Sequence, residues 1–391
     1  MYDLSMSDEL ENIAVESDDD VKVELVDFQQ AVIWGTDWTT ETILSQMNKG
    51  NIDLNPKFQR REAWTGTRKS KFIESLILGL PIPQIILAER KNRKGTYIVI
   101  DGKQRLISLR QFFSDEQDTV FPPLKLSKLN SLNTLNGMSF RDLKMSHDLN
   151  DYTLALENQP IRTIVIKNWP NEEFLYNVFL RLNTGSLPLA PQELRQALHP
   201  GKFIDFTDDY SVQSSAIKKI LNITKPDYRM RDVELVIRYY SFKYFINDYK
   251  GNLKKFFDDT VQILNNKWEE EHQRVQSYGL ELEEAINFTY QIWGENAFRK
   301  WSMEKYEGRF NRAIYDIMVH YFSNPEIREH LAPNKTRVKN AFERLCATNV
   351  EFLSAFETST KNITPTSKRF GLWGEVLQEI TGININLPTI G

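Results

Sequence analysis

The chain has 391 residues, with 49 Lys plus Arg against 53 Asp plus Glu, five His and a single cysteine, Cys346. A chain this long can bury sizeable cores, and the soft expectation is two or three domains. One cysteine excludes a disulfide scaffold and a multi-Cys zinc site. No apolar run reaches the roughly 18 residues of a spanning helix, and the first residues lack the basic and apolar regions of a secretory signal. A soluble, cytoplasmic protein with no membrane partner is expected.

Net charge is −4, but it is unevenly placed. Residues 1–27 hold ten acids and one base, Lys22, for a net −9, which leaves +5 on the remaining body. Like-charge repulsion and few aromatics predict a disordered acidic arm over 1–27.

A first domain is expected over 30–200. Val32 to Trp34 reads as a short strand, and 39–47 as a helix ended by Gly50. The run NPKFQRREAW, residues 55–64, is polar, with Phe58 and Trp64 bracketing Gln59, Arg60 and Arg61. Phe72, Ile73, Leu76 and Ile77 then mark a helix over 69–78, before Gly79 and Pro81. Strands are expected at 84–88 and 96–100, joined by the basic turn RKNRKG, and a third at 161–166. Helices are expected at 103–113, 172–182 and 191–198.

From residue 201 the pattern becomes helical, with amphipathic stretches at 230–247, 252–273, 281–300, 308–322, 335–357 and 367–381. An all-α domain over 201–391 follows.

Chemistry concentrates at YIVIDGKQRLISLRQFF, residues 97–113. A strand ends at Asp101, Gly102 permits a tight turn, and a helix starts at once. The free N–H groups of a helix N-terminus make an anion site, and Lys103 and Arg105 add positive charge. Asp101 could hold a divalent ion or polarise a water. The plainer reading is an Asp-Gly turn with Asp101 as N-cap. A later segment, FLYNVFLRLNTGSLPLAPQELRQAL, places Asn183 after a helix, with Glu193 and Arg195 expected on a solvated helix face.

Taken together, the three segments resemble the family catalogued as domain of unknown function 262, known from the N-terminal half of GmrSD-type modification-dependent restriction enzymes. The family's Ile/Val-Asp-Gly-Gln-Gln-Arg signature reads here Ile100-Asp101-Gly102-Lys103-Gln104-Arg105, its Phe-Gln-Arg…Trp element Phe58-Gln59-Arg60…Trp64, and its Phe-x-x-x-Asn element Phe179 to Asn183. The resemblance implies an α+β protein: a ParB/sulfiredoxin-like N-terminal domain with a small mixed sheet, followed by an all-α C-terminal domain. It also implies NTP binding and hydrolysis with Mg²⁺. Asp101 would orient the metal or water, Gln104 and Arg105 would act with it in catalysis, and Gln59, Arg60, Gly102, Lys103 and Asn183 would hold the nucleotide.

One departure is Lys103, where the family has Gln, because an ammonium cannot reproduce an amide's hydrogen-bond pattern. The histidines (His147, His199, His272, His320 and His330) lack the context of the His-metal-finger nuclease carried by two-part relatives, so no nuclease activity is expected of this chain alone. Two other readings stay open. One is a DNA-binding or DNA-nicking protein with a vestigial pocket, supported by the basic residues at 60–71 and 90–94. The other is a non-catalytic partner of a separate nuclease or defence subunit.

Overall fold

The computed structural model describes residues 30–54, 61, 63–182, 190–302, 304–357 and 360–391. The acidic arm over 1–27, and Phe58, Gln59, Arg60 and Asn183, lie outside the described residues. The chain divides into two units. One takes in the described residues up to Leu198 with Asp227–Met230, and the other His199–Pro226 with Arg231–Gly391.

In the first unit, β1 (Val32–Thr39) runs into α1 (Thr40–Asn48), capped by Thr39 Oγ1, which accepts the Thr42 N–H at 3.1 Å. Thr65 caps α2 (Gly66–Ile77) in the same way, and the stripe Phe72, Ile73, Leu76 and Ile77 is buried. Strands β2 (Ile85–Glu89) and β3 (Tyr97–Asp101) form the expected hairpin, and α3 (Lys103–Phe112) follows β3 directly. Two short helices follow, α4 (Phe140–Met145) and α5 (Asn150–Asn158), neither of which the periodicity indicated. The chain then passes through β4 (Pro160–Lys167), α6 (Glu172–Leu182) and α7 (Pro191–Leu198).

The sheet is small and mixed, in the order β1-β4-β2-β3, with β4 antiparallel to β1 and parallel to β2. Side chains alternate between its faces. Ile85 and Leu87 pack with Ile73, Leu76, Leu106 and Leu109 on one side. Ile86, Ala88, Ile98 and Ile100 pack with Phe174, Phe179 and Leu194 on the other. Both faces of the central strands are therefore buried, and the end of β3 is held between two helical layers. The loop before α4 is pinned from α2, because the buried Glu74 carboxylate accepts the N–H groups of Asn130, Ser131 and Leu132. Burial pushes the Glu74 pKa up, but those three donors and Lys71 together hold it below the ordinary carboxylate range.

The second unit is helical, as its amphipathic pattern predicts. It contains α8 (Lys202–Gln213), α9 (Ser215–Leu221), α10 (Arg231–Phe245), α11 (Leu253–Asn266) and α12 (Trp268–Trp293). A hairpin of β5 (Arg299–Ser302) and β6 (Lys305–Phe310) is an addition to the expected helices. The cross-strand pair Trp301–Tyr306, with ring centroids 4.8 Å apart, braces it. Then come α13 (Arg312–Phe322), α14 (Pro325–Leu331), α15 (Lys335–Thr348), α16 (Val350–Ser354) and α17 (Ile363–Thr381). The expected helices at 252–273 and 281–300 are placed differently: the chain breaks at Lys267, and α12 ends at Gly294, whose φ is +55°.

This unit encloses an ionic core. Arg238 grips Asp316 with two bonds, Nε to Oδ1 at 2.5 Å and Nη2 to Oδ2 at 2.9 Å, and both residues are at most 1% exposed. Arg369, also fully buried, donates to the Thr360 carbonyl at 2.6 Å and approaches Asp316 at 3.4 Å. Among the described residues, no helix is long and apolar enough to cross a membrane.

Candidate functional site at the strand-to-helix turn

The strand β3 ends on Asp101, and the backbone turns at Gly102 with φ +101°, a conformation that strains any residue bearing a Cβ. A Cβ built there would also lie 3.1 Å from Ile85 Cγ1 and 3.3 Å from Arg105 Nη2. Gly102 itself takes the N-cap position of α3 and offers no side-chain bond, so the plainer reading of Asp101 as N-cap is corrected. Asp101 sits one residue earlier. Its Oδ1 accepts the Gly102 N–H at 2.7 Å, and its Oδ2 accepts Arg105 Nη2 at 2.8 Å.

Arg105 Nη2 also donates to the Gln84 carbonyl at 3.0 Å, while Arg105 Nε is buried without a partner. The guanidinium is therefore fixed through Nη2 beside the helix N-terminus, while its buried Nε–H is left without a partner. Fixing it removes rotamer entropy that binding would otherwise have to offset.

Gln104 and Lys103 face other residues. Gln104 Oε1 accepts the Trp64 N–H at 3.2 Å, which ties the second sequence motif to the first. Lys103 Nζ meets Glu193 Oε1 at 2.5 Å, with both side chains less than a tenth exposed. Glu193 Oε2 in turn accepts the Ala190 N–H at 2.8 Å. Lys103 thus joins the start of α3 to the start of α7.

Two expectations are overturned here. Glu193 and Arg195, placed on a solvated face by their sequence, are 7% and 3% exposed. The cause is tertiary: α7 packs against β3 with Leu194 in the core, Glu193 turns to Lys103, and Arg195 donates to Gln192 Oε1 at 2.7 Å. Arg61 and Lys69, counted in the basic surface, are likewise buried, bonded to the Asp227 carbonyl and to Gln111 Oε1. Arg90 and Lys91 donate to the Ala197 and Pro170 carbonyls, which leaves Arg93 and Lys94 exposed at the tip of the hairpin.

Asp101 is a poor nucleus for a resident metal. Both its oxygens accept hydrogen bonds, and the described residues contain no group of three or more His, Cys, Asp or Glu able to hold an ion. An Mg²⁺ arriving on a triphosphate is a different case, because phosphates and water supply most of its ligands and one carboxylate suffices.

Residues 40–200 match the family model of the GmrSD restriction endonuclease, N-terminal domain. This GmrSD-type segment spans all three sequence motifs and relates this part of the chain to restriction systems. No curated protein and no solved structure matches the chain. Within the GmrSD-type segment, the structure brings Asp101, Gly102, Lys103, Gln104 and Arg105 to one turn. It adds Trp64 from the second motif as a partner, together with Glu193 and Gln84, which no motif designates.

Proposed function

We propose that the chain binds the phosphates of a nucleoside triphosphate at the Gly102 turn and hydrolyses it, as part of a restriction-type defence system. The observation that carries this reading is the buried, uncommitted Nε of Arg105, held by Asp101 and Gln84 beside the first turn of α3. A fixed guanidinium and a helix N-terminus are complementary to an anion. Asp101 holds Arg105 in place, and it is the residue that would hold an Mg²⁺ carried by the nucleotide. Gly102 lets the backbone approach the phosphates, and Gln104 and Lys103 keep the turn rigid through Trp64 and Glu193. Gln59, Arg60 and Asn183 complete the pocket in this reading, as the family resemblance implies.

The test is NTP binding and phosphate release with Mg²⁺, comparing wild type with Arg105→Ala. Loss of a charge-assisted contact is expected to weaken binding about 10-fold to 100-fold. A wild-type chain that binds no NTP ends this reading. The exposed Arg93 and Lys94 favour the DNA-binding reading instead, which requires affinity that falls steeply with salt and drops when both are reversed to Glu.

A further inference from the structure

Beside the turn, helix α7 buries amides that have no partner. Gln196 is 2% exposed, and neither its Nε2 nor its Oε1 has a hydrogen-bond partner. Gln192, also 2% exposed, engages Arg195 through Oε1 while its Nε2 has none. On the neighbouring α6, Asn177 Oδ1 is a fourth such atom. Burying amide groups unpaired is unfavourable, so their concentration on adjacent helices calls for a missing partner.

Position and chemistry together identify the class of partner. Gln192 and Gln196 are four residues apart and share a helix face with Glu193, which touches the first residue of α3 through Lys103. Three residues of α7 rise only about 4.5 Å, so Gln196 lies within one nucleotide's reach of the phosphate turn. The open groups are two amide donors and two amide acceptors, all neutral. A phosphate could satisfy the donors but not the acceptors, and a cation the acceptors but not the donors. A nucleobase edge, carrying both kinds side by side, can satisfy both.

We infer that the Gln192–Gln196 face of α7 reads the nucleobase of the nucleotide whose phosphates the Gly102 turn binds, an inference that rests on the proposed function. Gln196→Leu keeps the volume and removes the unpaired amide, so the variant should fold with an unchanged or higher melting temperature. Its affinity for the preferred NTP should fall about 10-fold to 100-fold, while its affinity for inorganic tripolyphosphate, which has no base, should not change. Arg105→Ala should weaken both ligands equally. Unchanged NTP affinity in Gln196→Leu, as expected if a buried water holds the amide, overturns the base-reading role and leaves phosphate binding standing. Wild type that binds neither NTP nor tripolyphosphate overturns both.

Discussion

Both units bury charge, but they finish the task differently. In the second unit, Arg238 and Arg369 converge on Asp316, and Arg369 also reaches the Thr360 carbonyl, so the buried ions join α10, α13 and α17. The partnerless atoms there include Trp373 Nε1, His320 Nδ1 and Arg369 Nε, one to a residue. In the first unit two ion pairs, Asp101–Arg105 and Lys103–Glu193, are short ties around one turn, and open amides lie on α6 and α7. Buried polarity in the second unit holds helices together. In the first it gathers around one strand-to-helix turn.

The sharpest way to break that contrast is to remove the central anion of the second unit. Asp316→Ala leaves Arg238 with only the 3.8 Å contact to Glu234 and Arg369 with the Thr360 carbonyl, a change expected to cost about 3–5 kcal/mol. The variant should show a melting temperature lowered by many degrees, or no cooperative transition for this unit. A shift of only a degree or two would mean that the arginines find other partners, and that the ionic core is not what joins these helices.

A smaller effect is expected from the Lys103–Glu193 tie. Lys103→Met alone strands the buried Glu193 and should cost about 3 kcal/mol, whereas the double change Lys103→Met with Glu193→Leu should recover most of it, because an apolar pair needs no counter-ion. Urea unfolding of the four chains measures this cycle. If Lys103 only positions the turn, the double variant retains most of its NTP affinity. If Lys103 contacts phosphate directly, the double variant is stable but binds about tenfold or more weakly.

Much of the first unit was legible because its signals are local. Alternation over Tyr97 to Ile100 switches to helical spacing after Asp101-Gly102, and the structure changes from strand to helix at that point. The bounds of α6 and α7 fall where their apolar spacing places them. The Ser139–Asp142 capping box of α4 was just as local, but a six-residue helix is too short for periodicity to register. Burial of Arg61, Lys69, Glu193 and Arg195 was not legible, since each depends on a partner or layer far along the chain; Lys103 and Glu193 are 90 residues apart. The site's motif residues could therefore be named from the sequence, but not that Lys103 and Gln104 face Glu193 and Trp64.

The smallest predicted effect separates the units by acid. Burial, with Lys243 nearby, pulls the His320 imidazole of α13 down from its ordinary value to about 3. A base whose pKa is depressed on folding binds its proton more readily when unfolded, so stability contributed by neutral His320 is lost as pH falls from about 6.5 toward 3, at up to about 1.4 kcal/mol per pH unit. Glu74 in the first unit behaves in the opposite sense. Its carboxyl is held below 4.5, so the stability it adds is intact above that value and is lost only as pH drops further, through its folded pKa. Between pH 6.5 and 5 the second unit should therefore weaken while the Glu74 clamp does not. His320→Phe should flatten the fall of the urea midpoint across that interval by removing the group that must be charged. An unaltered slope in the variant would mean that His320 is protonated without disturbing its surroundings, and the two units would then respond to acid alike.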